Sequence, residues 1–278
     1  MEGTGLVTLL LIVIIVWVSY KGLASHSYLE QYSFKVDEIL IHKEYYRLFT
    51  SGFLHVSWTH LIFNIAALYS FSEGIEDYLG PLKFAAIYFG SLICGDLFSL
   101  FIHRNHGDYS SVGASGAISG VMFAAIALFP GMEISFFGVN AGIPAWVFGP
   151  LYVLISIYGI KSQTDNIGHD AHLAGGIAGL LIALAFSPVS FLINYLPIVL
   201  ILIPAAIFLY LIITRPDFLL INNLYFKQTK FYNIDVQYNY KKRNREKELD
   251  DLLDKINKKG MEGLSAKEKE RLKQLSEN

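Results

Sequence analysis

Residues 113–130 read GASGAISGVMFAAIALFP. The run carries no charge from end to end, and a serine, Ser115, stands near its start. Gly116, Gly120 and Ala124 recur every four residues, so on a helix they form one stripe of small side chains. Such a stripe lets a second helix backbone approach closely, the packing device that membrane helices use where water supplies no hydrophobic drive. Gly175 and Gly179 repeat the pattern in the run 169–188, one turn beyond His172. Close packing accounts for every one of these glycines. It does not account for a serine at the head of one stripe and a histidine at the head of the other. If the stripes face each other, the Ser115 hydroxyl and a His172 ring nitrogen meet. That is the nucleophile–base pair acyl transfer requires, because a serine hydroxyl is unreactive until a base takes its proton. A helix start also offers backbone N–H groups with no intrahelical acceptor, which suit a developing oxyanion.

The rest of the chain fits a membrane setting. A helix needs about 20 apolar residues to cross a hydrocarbon core of roughly 30 Å, and backbone polar groups there have no water to bond. Seven runs meet or approach this length: 5–24, 53–73, 83–103, 113–130, 144–160, 169–188 and 190–213. The fifth is the shortest, and Pro197 and Pro204 in the seventh predict a kink or a re-entrant shape. Glu2 and the absence of Lys or Arg ahead of the first run argue against a secretory signal. Hydrophobic residues make up 53% of the 278 positions and charged residues 17%, which excludes a soluble enzyme and a disordered chain. Charge is also segregated. Residues 1–214 hold 7 Lys/Arg and 13 Asp/Glu, whereas 215–278 hold 15 and 11. The net charge of −2 speaks against a nucleic-acid partner. Cys94 is the single cysteine, so no internal disulfide forms.

The expected fold class is therefore all-α, a polytopic membrane helix bundle. Its segments are a core over 1–189, an added transmembrane helix over 190–214 and a polar tail over 215–278. The loop 25–50, rich in Tyr and Phe, is expected in the headgroup zone. In the tail, Leu249, Leu252, Leu253 and Ile256 have helical spacing, and Ser265 with Glu268 reads as a capping box before Leu272 and Leu275. A small helical hairpin is the expectation.

Ionisable groups in a membrane helix are costly and so mark function. They are His55, His60, Glu73, Glu76, Asp77, Asp96, His169, Asp170 and His172. His60 and Asn64 are one turn apart and share a helix face; an interhelical hydrogen bond explains that spacing, and an oxyanion-binding pair explains it too. The histidines also admit a metal reading, although no His-Glu-x-x-His occurs. Asp96 and Asp170 admit a proton-relay reading, as in a transporter. Asp170 near a membrane boundary, and His26, His42, His103 and His106 in loops, are expected to be solvated.

Taken together, four motifs resemble those of the rhomboid intramembrane serine proteases, over about residues 5–190. They are Tyr46-Arg47 (Trp-Arg in the family), His55-Val-Ser-Trp-Thr-His60-Leu-Ile-Phe-Asn64, Gly113-Ala114-Ser115-Gly116 and Ala171-His172-Leu-Ala-Gly175-Gly176. The resemblance implies a six-helix core with one helix added after it. It implies a catalytic Ser115–His172 dyad with no acid partner, and an oxyanion held by His60, Asn64 and the Ser115 amide beside Gly113. Arg47, His55, Glu76, Gly175 and Gly179 match structural positions near the site. No metal or organic cofactor is implied. The implied partners are transmembrane protein substrates and the bilayer. The implied location is a bacterial inner membrane with the site opening to the extracytoplasmic side. A catalytically silent binder of membrane helices, and less favourably a proton- or metal-coupled transporter, are the competing functions.

Overall fold

The computed structural model describes residues 5–72, 74–134, 142–162 and 167–214, and in the tail 252, 255, 256, 261–265, 269 and 272. The chain falls into two compact units, Met1–Tyr225 and Phe226–Asn278.

The first unit is a helix bundle. Its long helices are α1 (Leu6–Ala24), α5 (Trp58–Ser72), α7 (Pro81–His103), α8 (Ser115–Leu128), α9 (Ala145–Ser162), α10 (His169–Phe186) and α12 (Tyr195–Thr214). Short helices join them: α2 (His26–Tyr32), α3 (Val36–Leu40) and α4 (Arg47–Thr50) before α5, α6 (Ile75–Leu79) after it, and α11 (Pro188–Ile193) before α12. Among the described residues, five helices are long and apolar enough to cross a membrane: α1, α7, α9, α10 and α12. The chain is an integral multi-pass membrane protein. The seventh run breaks at Asn194, and from Tyr195 it continues as one helix through Pro204.

α8 is the shortest long helix and the most enclosed. Gly116 to Leu128 are all buried, with α5, α7 and α10 packed around it. A helix apolar on every side belongs in the interior. Its 14 residues rise only about 21 Å, roughly 9 Å short of a hydrocarbon core. A helix with no lipid-facing side need not span the hydrocarbon core, and Ser115 is its first residue.

The loop 25–50 is not merely interfacial. β1 (Phe34–Lys35) pairs antiparallel with β2 (Ser110–Ser111), Phe34 opposite Ser111, while Val36 N donates to Tyr109 O. Phe34, Val36 and Ile39 are fully buried in a small core with Leu48, Leu100 and Tyr109 against it. The loop thus pins the segment that leads into Ser115. A second pair, β3 (Glu133–Ile134) with β4 (Ile143–Pro144), joins the residues before α9 to those after α8.

Two solvation expectations fail. His103 ends α7 half-buried, stacked face to face on Tyr109 at 3.6 Å, with Nε2 3.4 Å from Asp170 Oδ2. Asp170 itself is buried, in the first turn of α10. Asp96 accepts a 2.9 Å hydrogen bond from Ser51 Oγ, a structural contact that ties α7 to the turn after α4. Tyr109, shut in by this cluster, has its phenol pKa raised, chiefly by burial.

In the tail unit, Leu252 and Leu264 are buried with Ile256 and Leu272 against them. Lys269 N donates to Ser265 O, one helical turn after the expected cap. Leu249, Leu253, Glu268 and Leu275, like Glu73, lie outside the described residues.

Candidate active site

The glycine stripes of α8 and α10 do face each other. A Cβ on Gly175 would fall on the Gly116 carbonyl, and one on Gly179 would fall on Gly120. α7 closes the third side: a Cβ on Gly95 would lie 2.8 Å from Ala171 O. With no side chains between them, the backbones approach until Ser115, the first residue of α8, meets His172, one turn into α10. His172 Nε2 stands 2.6 Å from Ser115 Oγ, and the His172 amide is anchored on Gly168 O at 3.0 Å.

Gly113 makes the turn into α8 at φ 142°, a conformation side chains rarely adopt, with its N–H on Ser51 O. A Cβ there would sit 3.0 Å from His60 Cε1, 3.2 Å from His60 Nε2 and 3.5 Å from Ser115 Oγ. The His60 ring, Gly113 and Ser115 therefore border one small space. The first amides of a helix such as α8 have no intrahelical acceptor. The His60 amide is capped by Ser57 Oγ at 3.1 Å. Asn64 is buried one turn further, and its Nδ2 donates to the His60 carbonyl at 2.9 Å. One of its two amide hydrogens is thus committed to its own helix.

Other expected residues serve this frame without reaching Ser115. Ser19 Oγ donates to Phe53 O, so the 2.8 Å contact with His55 Nδ1 is a hydrogen bond from the ring N–H to that hydroxyl. The His55 ring then stands edge-on to His60, centroids 4.7 Å apart. Arg47 is buried in the loop; its Nη1 donates to Glu30 O and Ser33 O, and its Nε to Glu44. The Arg47 Nε bond first, and then one from the Tyr46 hydroxyl, hold the Glu44 carboxyl below the usual glutamate range. Glu76 is at the far end of the bundle, where its carboxylate takes the Val7 and Thr8 amides and the Thr8 hydroxyl and so caps α1.

Two residues not anticipated from the sequence join the Ser115–His172 pair. Tyr152 OH, on α9, is 3.2 Å from His172 Nδ1, and Ser119 Oγ is 2.9 Å from the same phenol. Ser119 had a signal, because it follows Ser115 by one turn on the same face. Tyr152 had none, since only the packing of α9 brings it there. Among the described residues, no three His, Cys, Asp or Glu are grouped so as to hold a metal ion.

The rhomboid domain model matches residues 42–189, and a family of unknown function matches residues 232–278. The chain is 34% identical over 134 residues to Rhomboid protein 1, mitochondrial, of Saccharomyces cerevisiae, covering 47% of this chain and 39% of that one. It is 32% identical over 142 residues to the putative rhomboid protease YdcA of Bacillus subtilis, covering 50% and 66%. It is 38% identical over 84 residues to Inactive RHOMBOID-like protein 8 of Arabidopsis thaliana, covering 30% and 24%. The chain thus spans less than two thirds of each of these relatives.

Proposed function

The chain belongs to the rhomboid family, and on that premise we propose that it is an intramembrane serine endopeptidase working through a Ser115–His172 dyad. The observation that carries this reading is the 2.6 Å contact between Ser115 Oγ and His172 Nε2 at the start of α8. His172 Nε2 takes the hydroxyl proton as Ser115 Oγ bonds to the scissile carbonyl carbon. The negative charge forming on the carbonyl oxygen falls beside the first α8 amides and the His60 ring, which stabilise it. Asn64 supports this by fixing the His60 carbonyl and has a second amide hydrogen to offer. His172 then gives the proton to the leaving amine, and the C–N bond breaks. Water, deprotonated by the same nitrogen, hydrolyses the acyl-enzyme.

The substrates are transmembrane segments unwound near the scissile bond. In this reading 1–189 is the protease core, 190–214 an added helix and 215–278 a polar tail. The site opens to the extracytoplasmic side of a bacterial cell membrane. Cysteine labelling of Asp108→Cys and Gly131→Cys, with Cys94 replaced, tests that orientation: only the Asp108 position reacts from outside.

A fluorophosphonate probe tests the chemistry. It labels the wild-type protein and fails on Ser115→Ala. Labelling that survives the substitution removes Ser115 as nucleophile. A folded wild-type protein that never labels would favour the silent helix binder, the reading that the inactive relative from Arabidopsis thaliana keeps open.

A further inference from the structure

We propose that Tyr152 is a positioning residue for the general base, and that Ser119 fixes the direction in which Tyr152 acts. The inference rests on the dyad reading above and assigns to the dyad a hydroxyl chain in the place where an acid would stand. Four atoms lie in sequence: Ser115 Oγ, 2.6 Å to His172 Nε2; His172 Nδ1, 3.2 Å to Tyr152 OH; Tyr152 OH, 2.9 Å to Ser119 Oγ.

The chemistry sets the direction of each bond. To accept the serine proton, Nε2 must be bare, so the neutral imidazole carries its hydrogen on Nδ1. That N–H then donates to the Tyr152 oxygen. The phenol has one proton of its own, and Ser119 Oγ accepts it. Ser119 therefore keeps the Tyr152 proton away from Nδ1. Were the phenol to donate to Nδ1 instead, the imidazole would hold its hydrogen on Nε2 and could not act as base. No proton travels along the chain: the serine proton stops at Nε2, and Nδ1–H and the phenol proton stay where they are.

The Tyr152 ring is held for this task. Phe123 meets it edge-on at 5.7 Å, Phe148 packs on it at 5.9 Å, and its own plane lies 23° from that of the His172 ring. Aromatic contacts of this kind fix a ring at little entropic cost. The helices involved matter as much as the atoms. Ser119 and Ser115 belong to α8, His172 to α10 and Tyr152 to α9, so the correct tautomer exists only while all three helices are seated together.

The probe is a fluorophosphonate, with its second-order labelling rate measured against pH on the full chain in detergent. Tyr152→Phe keeps the ring and removes the oxygen. Its plateau rate falls about tenfold, the rate equivalent of one hydrogen bond. Its acid limb also moves to lower pH, because the phenol oxygen bonds imidazolium more strongly than imidazole. Ser119→Ala slows labelling as well, by freeing the phenol to donate to Nδ1. In the double variant, loss of Ser119 adds nothing to loss of the Tyr152 hydroxyl. An unshifted acid limb, or effects that multiply in the double variant, would reduce both residues to packing and overturn the proposal. If Tyr152→Phe loses its cooperative melt, Ser119→Ala alone decides, and a wild-type rate there overturns it. Absence of labelling in the wild type would instead strike the dyad reading beneath.

Discussion

Replacing Gly175 by alanine drives a methyl group into the closest approach of three helices. The new Cβ would lie 2.9 Å from the Gly116 carbonyl carbon, nearer still to its oxygen, and 3.1 Å from Ser91 O. All of these are backbone atoms, on α8 and α7, so no side chain can swing aside. Cβ atoms do not approach within 3.0 Å of other heavy atoms, and α10 must retreat by roughly half an ångström or more. Small-to-large changes in a packed core cost about 1–3 kcal/mol. The chemical cost is separate, because Gly175 lies one turn from His172 on the same helix. A dyad contact of 2.6 Å then stretches beyond good hydrogen-bond length, and a displacement approaching 1 Å costs on the order of 100-fold in rate. We expect Gly175→Ala to melt cooperatively at lower temperature and to label with fluorophosphonate at least tenfold more slowly than wild type. Gly131→Ala is the control, since nothing lies within 4 Å of a Cβ there. Wild-type labelling by Gly175→Ala, with Gly131→Ala equally active, would refute the claim that the glycine contact sets the dyad distance.

Other consequences follow from contacts in the same bundle. Gly113→Ala meets both a positive φ and the His60 ring; it loses about 1–3 kcal/mol and most probe labelling, measured by melting and gel fluorescence. Glu76→Ala strands the Val7 and Thr8 amides, costing about 1–3 kcal/mol, and thermal unfolding shows the loss while labelling at low temperature persists. Arg47→Lys keeps the charge but cannot span Glu30 O, Ser33 O and Glu44 together, so limited proteolysis cuts the loop 25–50 faster. The Glu44 carboxyl is held below its ordinary pKa, so its folded form binds protons less readily than its unfolded form. Its stabilisation is complete above the ordinary glutamate range and is lost as pH falls through the lowered value. Loop cleavage should accelerate in acid for the wild type, and Glu44→Gln should flatten that dependence.

The helices were legible because lipid leaves few options. Each of the seven apolar runs holds one long helix, and the discrepancies are at ends where non-helical residues intervene, as at residues 54–57 before α5. Ser115 and His172 were legible because matching small-residue stripes predict which faces touch. The strand within the loop 25–50 was not legible, since the partner of Phe34 and Lys35 lies some 75 residues away at Ser110–Ser111 and local periodicity carries no trace of it. Asp170 and His103 were placed in solvent by position alone, but burial and pairing are tertiary facts. Tyr152 was invisible for the same reason.

Charge and chemistry are divided in this molecule in a way that burial energetics explains. The formally charged side chains serve as staples: Glu76 caps α1, Arg47 gathers three loop carbonyl and carboxylate oxygens, and Asp170 meets His103 behind the site. Glu76 and Arg47 are each fixed by strong partners, which is the condition for burying a charge at all. The proposed reacting line from Ser115 through His172 and Tyr152 to Ser119 contains only hydroxyls and an imidazole. A carboxylate in the Tyr152 position would hold the same tautomer and stabilise imidazolium better, but at rest it would be an anion facing a neutral ring in a poorly solvated site. A phenol gives the same geometry without that cost. The exchange is weaker assistance to the base for a site that is stable when empty. On the proposed reading, this division accounts for a dyad that is oriented by a third residue yet carries no net charge until the serine proton moves.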